Sequence, residues 1–225
     1  MFLQDRLDAL KADFEGGKLA YKPGPEVLDV MHRATAELIA SGQALNARKA
    51  GDKIPEFALQ DPDGQRVSSA ELLAKGPLVV SFYRGVWCPY CNLELQALQA
   101  TLPEIEARGA QVVAISPQTA PNSRKSQRDN HLSFPILSDE KSRVAAAFGL
   151  RFSLPDYLVE LYKGFKNDLP TFNDDPAWVL PMPARYVISA EGVIAYAEVN
   201  PDYTQRPDPS ELLPVLDKLQ ANTVA

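Results

Sequence analysis

Pro77-Leu78-Val79-Val80-Ser81-Phe82-Tyr83 is followed, after Arg84-Gly85-Val86-Trp87, by Cys88-Pro89-Tyr90-Cys91. The first stretch is a continuous apolar run, the pattern of a strand buried on both faces. Pro89 suits the first position of a helix. This predicts a helix from about Cys88 to Arg108, ended by Gly109, with Cys88 at the N-cap. There the unpaired backbone N–H groups and the helix dipole favour negative charge on sulfur. Such positions lower a thiol pKa from about 8.5 into the range of roughly 3.5–7.5. The thiolate is the nucleophile, so Cys88 is the predicted reactive sulfur. Cys91 lies one turn further on, facing the same side and more deeply buried, where it can close a disulfide and act as the resolving thiol. Arg84, four residues before Cys88, is a candidate source of further positive charge.

Strands and helices alternate outward from this point. Gln111–Ser116 reads as a second buried strand and Phe134–Ser138 as a third, with polar, helical residues 121–131 between them. Ser116-Pro117-Gln118-Thr119 reads as a helix-capping turn. Tyr186–Ser189 and Val193–Ala197 form a hairpin around Ala190-Glu191-Gly192, and a last helix begins near Pro209. Before the buried run, Ile54–Leu59 alternates as a strand and turns at Asp61-Pro62-Asp63-Gly64, and Ser69–Leu73 is a short helix. This order predicts an α/β fold: a central mixed sheet with helices on both faces. Residues 1–47 form a helical extension of two amphipathic helices, carrying Leu3, Leu7, Leu10 and Phe14, then Val27, Val30, Met31, Ala34 and Leu38. Their apolar faces must be buried against the main domain, residues 48–225, or against a partner, so a homodimer is the expected assembly. Residues 150–180 lack a clean period and read as an insertion with one helix around Tyr157–Tyr162.

Composition narrows the function classes. The chain has 225 residues, a net charge of −6, and no concentration of Lys or Arg that would mark a nucleic-acid footprint. No apolar run approaches the roughly 20 residues that span a bilayer, and the charged N-terminus is unlike a secretory signal. The expectation is a cytoplasmic protein without membrane or nucleic-acid partners. It has only two cysteines, both in the C-x-x-C. In a reducing compartment such a lone pair is catalytic or metal-binding. A structural zinc site needs four ligands, and His32 and His131, the only histidines, have no paired spacing. Neither a metal nor a cofactor is expected.

The segment Phe82–Cys91 resembles the active-site segment of the alkyl hydroperoxide reductase and thiol-specific antioxidant family of peroxiredoxins. Phe134–Asp139 with Phe148-Gly149 is similar to the stretch after that family's fourth core strand, and Met182–Ser189 with Glu191–Ile194 resembles its last hairpin. The resemblance covers roughly residues 48–220. It implies a thioredoxin-like fold and a thiol peroxidase in which Cys88 attacks a peroxide. The resulting sulfenic acid would condense with Cys91, and thioredoxin or a similar dithiol would reopen the disulfide. Two positions depart from the family pattern. Gly85 stands where the family carries a peroxide-binding Thr or Ser. Pro183 stands where it carries an Arg, with Arg185 two residues later on the same side of the strand. Pro183 also resembles the cis-proline that faces the Cys pair of thioredoxins. The candidate site is therefore Cys88, Cys91, Arg84 and Arg185 for catalysis, with Trp87 and Pro183 against the substrate. The departures keep a second reading, a thiol–disulfide oxidoreductase acting on protein disulfides. A third, a non-catalytic or sensor module using residues 1–47 to bind a partner, requires an ordinary Cys88 pKa.

Overall fold

The structure is a computed structural model that describes residues 2–224, with side chains up to residue 221. Two N-terminal helices, α1 (Leu3–Glu15) and α2 (Pro25–Ala40), precede the sheet. Strands β1 (Ala58–Gln60) and β2 (Arg66–Ser68) lead to α3 (Ser69–Leu73), whose N-cap Ser68 accepts from the Glu71 amide. Then come β3 (Leu78–Phe82), α4 (Pro89–Glu106), β4 (Gln111–Ser116), α5 (Ala120–Asp129), β5 (Ile136–Ser138) and α6 (Arg143–Ala147). Residues 151–181 supply β6 (Arg151–Ser153), α7 (Asp156–Gly164), α8 (Leu169–Asn173) and β7 (Val179–Pro181). The chain ends with β8 (Ala184–Ile188), β9 (Ile194–Val199) and α9 (Leu213–Val224).

Seven strands form one sheet in the order β2-β1-β5-β4-β3-β8-β9. The three central strands are parallel, as helical crossovers require, and β8 lies antiparallel to β3 with Arg185 opposite Ser81. Every residue of β3 is buried, matching its uninterrupted apolar run. Alternation sorts its side chains. Val79 joins Leu95, Leu98 and Ile105 of α4 on one face, whereas Val80 and Phe82 join Phe148 and Tyr186 on the other.

The extension is built into this frame. Leu3 and Leu7 of α1 are fully buried in the same cluster as Cys88, Cys91 and Leu95. Val30 and Ala34 of α2 pack on Leu154, Leu158 and Tyr162 of the 150–180 segment. The apolar faces on which a dimer interface was expected thus meet this chain's own core. The 150–180 segment holds more order than the single helix expected, because β6 and β7 pair as a separate ribbon around α7. At the other edge, β1 is shorter than its alternating pattern suggested: Pro55 has no N–H to donate, and pairing begins only at Ala58.

Candidate active site

The site forms where β3 ends. Cys88 is the N-cap of α4, with Pro89 in the first turn, and its Sγ accepts a hydrogen bond from the Cys91 amide at 3.4 Å. Both cysteines are free thiols and are 1% and 0% exposed. Burial pushes both thiols up, but for Cys88 other effects win. The Cys91 thiol and amide hydrogen bonds and the charges of Arg84 and Arg206 bring it down to about 6. Cys91 goes the opposite way, well above the ordinary thiol value, because burial, its hydrogen bond to Cys88 and the Cys88 charge all favour its neutral form. One sulfur is ionised at neutral pH while its neighbour keeps its proton.

The approach loop has little freedom. Gly85 sits at φ +147°, a conformation that side chains rarely adopt, and a Cβ there would lie 2.6 Å from Trp87 Nε1. The indole therefore occupies the room that a larger residue at 85 would need. The Val86 amide donates to Gln118 Oε1 at 2.8 Å, and Gln118 Nε2 donates to the buried Tyr83 hydroxyl at 2.6 Å. Gln118 thus does more than close a capping turn: it reaches back from the end of β4 to hold the loop before Cys88.

Arg84 is 4% exposed. Its guanidinium donates to the Tyr162 hydroxyl and lies 4.2 Å from the Tyr203 ring centroid and 4.9 Å from that of Trp87. Trp87 stacks edge-on against Tyr162 with centroids 5.5 Å apart. Arg84 Nε and Trp87 Nε1 are buried without a hydrogen-bond partner among the described residues. Both residues line, with Cys88, one cavity of about 140 Å³. Pro183 lines an adjoining space with Arg84, Tyr162 and Tyr203.

One expectation needs correction. The peptide bond before Pro183 is trans, as are all bonds among the described residues. Extended pairing runs through the connection, where Met182 N donates to Leu150 O and Pro183 O accepts from Asn200 N, and trans is the default for X-Pro. Arg185 lies on the face of the sheet that carries α4, with its Nε and Nη1 buried without a hydrogen-bond partner among the described residues. It donates to the Pro207 carbonyl at 2.6 Å and lies 3.6 Å from Glu94 of α4. Arg206, which sequence reasoning missed, is a second cation acting on Cys88. Arg206 pairs with the other oxygen of the same buried carboxylate at 2.8 Å. One Glu94 therefore faces two guanidiniums, and the buried Glu198, its carboxyl pushed up to about 7 by burial and by Glu94, lies in the field of the same two arginines. Glu94 was legible as a charge inside the apolar period of α4; Arg206, in an irregular loop, carried no such signal.

A buried pair of free Cys thiols at the start of a helix, on a thioredoxin-type mixed sheet and beside a buried arginine, matches a thiol oxidoreductase of peroxiredoxin type. The chain belongs to the AhpC/TSA family, whose model matches residues 50–197. It is 31% identical over 106 residues to peroxiredoxin Bcp of Escherichia coli K12, covering 47% of this chain and 67% of that protein. A putative peroxiredoxin of Mycobacterium tuberculosis is 36% identical over 100 residues, 44% of this chain and 62% of that one. Among solved structures, peroxidoxin BcpB of M. tuberculosis superposes with a TM-score of 0.60 at 22% identity, over 77% of this chain and 97% of that one. A cysteine-to-serine mutant of Xanthomonas campestris peroxiredoxin Q gives 0.57 at 19% identity, over 78% and 99%. These structural likenesses establish the shared fold.

Proposed function

We propose that the protein is a thiol-dependent peroxidase in which Cys88 is the peroxidatic nucleophile and Cys91 the resolving thiol. The observation that carries this reading is geometric: the Cys88 sulfur caps α4 and accepts the Cys91 amide one turn away, with Arg84 in the same cavity, a setting that favours thiolate at Cys88. The Cys88 thiolate attacks one peroxide oxygen and the O–O bond breaks. Sulfur becomes a sulfenic acid, and the other oxygen leaves as alcohol or water after taking up a proton. The protonated Cys91 then displaces water to form the disulfide. Arg84 and Trp87 are proposed as peroxide-binding donors, because their Nε and Nε1 hydrogens lack partners beside Cys88. Arg206 and Arg185 are positioning residues, held by Glu94. A dithiol protein of thioredoxin type is the proposed reductant, and the reducing conditions it implies support the cytoplasm. Among the described residues no helix is long and apolar enough to cross a membrane.

Mass spectrometry after one equivalent of hydrogen peroxide tests the assignment. Wild type should lose two hydrogens as the disulfide closes, Cys91→Ser should gain one oxygen, and Cys88→Ser should do neither. A wild-type mass that stays unchanged while the thiols remain titratable would refute it.

A further inference from the structure

When a thiolate breaks an O–O bond, the departing oxygen leaves as a strong base and needs a proton. The loop before Cys88 has no side-chain hydroxyl to supply it: position 85 is a glycine, and a Cβ there would lie 2.6 Å from Trp87 Nε1. A hydroxyl arrives from elsewhere in the chain. Tyr162 of α7 is 4% exposed and lines the cavity over Cys88 together with Arg84 and Trp87. Its oxygen accepts a hydrogen bond from the Arg84 guanidinium, and its own hydrogen has no acceptor among the described residues. Resting on the peroxidase reading, we propose that Tyr162 is a catalytic residue, whose hydroxyl binds the departing oxygen of the peroxide and protonates it as the O–O bond breaks.

The other donors around the sulfur cannot fill this role. Arg84 Nε and Trp87 Nε1 are buried without partners and can hydrogen-bond a peroxide, but neither a guanidinium nor an indole gives up its proton in a protein. The Cys91 thiol turns its hydrogen on the Cys88 sulfur. Tyr203 meets Arg84 with its ring, and Tyr90 packs edge-on against Tyr203, so a phenolate on either lacks the guanidinium hydrogen bond that Tyr162 has. The titratable groups that face Tyr162 are Arg84, Cys88, Cys91 and Tyr203. Burial outweighs the Arg84 charge and holds the Tyr162 phenol above its ordinary value, so it carries its proton at neutral pH. In the step, the Cys88 sulfur bonds to one peroxide oxygen and gives up two electrons as O–O breaks. The other oxygen leaves with the electron pair and takes the Tyr162 proton. The phenolate left behind is met by the Arg84 N–H, a charge-assisted hydrogen bond, and regains a proton from water.

Rapid acid quench of the reduced full-length protein, read by mass, gives the second-order rate constant for Cys88 oxidation at neutral pH. Two oxidants separate proton supply from the integrity of the site. Hydrogen peroxide expels hydroxide, which needs a proton; peracetic acid expels acetate, which does not. Tyr162→Phe should slow the reaction with hydrogen peroxide by about 100-fold, the lower end for a general acid, and that with peracetic acid by less than about threefold. Iodoacetamide, which needs only the thiolate, should alkylate Cys88 in the variant at the wild-type rate. An equal fall with both oxidants would reduce Tyr162 to a support for Arg84 and overturn the proposal, as would a wild-type rate with hydrogen peroxide. If the variant misfolds, 3,5-difluorotyrosine at position 162 keeps the ring and hydroxyl but lowers the phenol pKa. Its hydrogen peroxide rate should then fall away at a lower pH than in wild type, and an unmoved pH profile would overturn the proposal. A wild type that reacts with neither oxidant, though alkylated normally, would instead bring down the peroxidase reading and Tyr162's role with it.

Discussion

Replacing Cys88 by Ser should destabilise the reduced protein at pH 8 and leave it nearly untouched at pH 5. The folded protein holds this thiol at about 6, whereas an unfolded chain holds it at about 8.5. Between these values the unfolded chain binds the proton more tightly, so stability rises with pH through this window. The contribution is small below pH 6, reaches about 2–3 kcal/mol by pH 8, and is complete above the unfolded value at about 3 kcal/mol, at roughly 1.4 kcal/mol per unit. It is lost again as pH falls through the folded value. The raised Cys91 thiol works against stability only above about pH 8.5, where the unfolded chain would release that proton, so pH 5 to 8 isolates Cys88. For a chain of this length about 1 kcal/mol moves Tm by roughly 2–4 °C. The gap in Tm between reduced wild type and Cys88→Ser should therefore widen by roughly 5–10 °C from pH 5 to pH 8. Thermal melts in a non-thiol reductant measure it, and the pH dependence of iodoacetamide alkylation gives the midpoint independently. Parallel stability curves, with an alkylation midpoint near that of free cysteine, would refute the electrostatic reasoning.

Two further substitutions probe how that thiolate is held. Arg206→Leu leaves Glu94 buried with only the longer contact to Arg185. It should cost about 3–5 kcal/mol, the usual cost of breaking a buried ion pair, and should raise the alkylation midpoint of Cys88; an unshifted midpoint in a folded variant would remove Arg206 from the thiolate's field. Gly85→Ala forces a side chain onto positive φ and into the Trp87 indole; a cost of about 1–3 kcal/mol by denaturant unfolding, with slower peroxide reduction, is expected, and wild-type behaviour would count against the loop geometry.

What the sequence revealed and what it concealed divide along a physical line. The strands of the parallel core and α4 are legible because burial on both faces leaves an uninterrupted apolar run, and because Pro89 and Gly109 punctuate the helix between two such runs. The reactive pair is legible for the same reason: it lies where two strong local signals meet. The second cation is not legible. Arg185 sits on the correct face of β8, but whether it faces a thiolate or a carboxylate depends on Glu94, far away in sequence, and on a loop that delivers Arg206 to the same carboxylate. Periodicity carries no information about such a contest. The cover of the site was hidden likewise. The irregular composition of residues 150–180 gave no hint that Tyr162 would receive a hydrogen bond from Arg84.

The buried position of Cys88 sets a problem that the rest of the site answers. Excluding water from a thiol by itself favours the neutral form, as the behaviour of Cys91 shows. A helix N-terminus reaches only the sulfur it faces, and here it offers Cys88 the Cys91 amide at 3.4 Å. Guanidiniums must supply the remainder, yet a guanidinium buried without a partner carries a heavy desolvation cost of its own. The protein meets this by placing two of its three buried arginines against Glu94, with Glu198 nearby, and by setting the third, Arg84, against the Tyr203 and Trp87 rings and the Tyr162 hydroxyl rather than an acid. Arg84, which faces no acid, and Arg206 are therefore the charges that help an almost fully enclosed sulfur stay ionised.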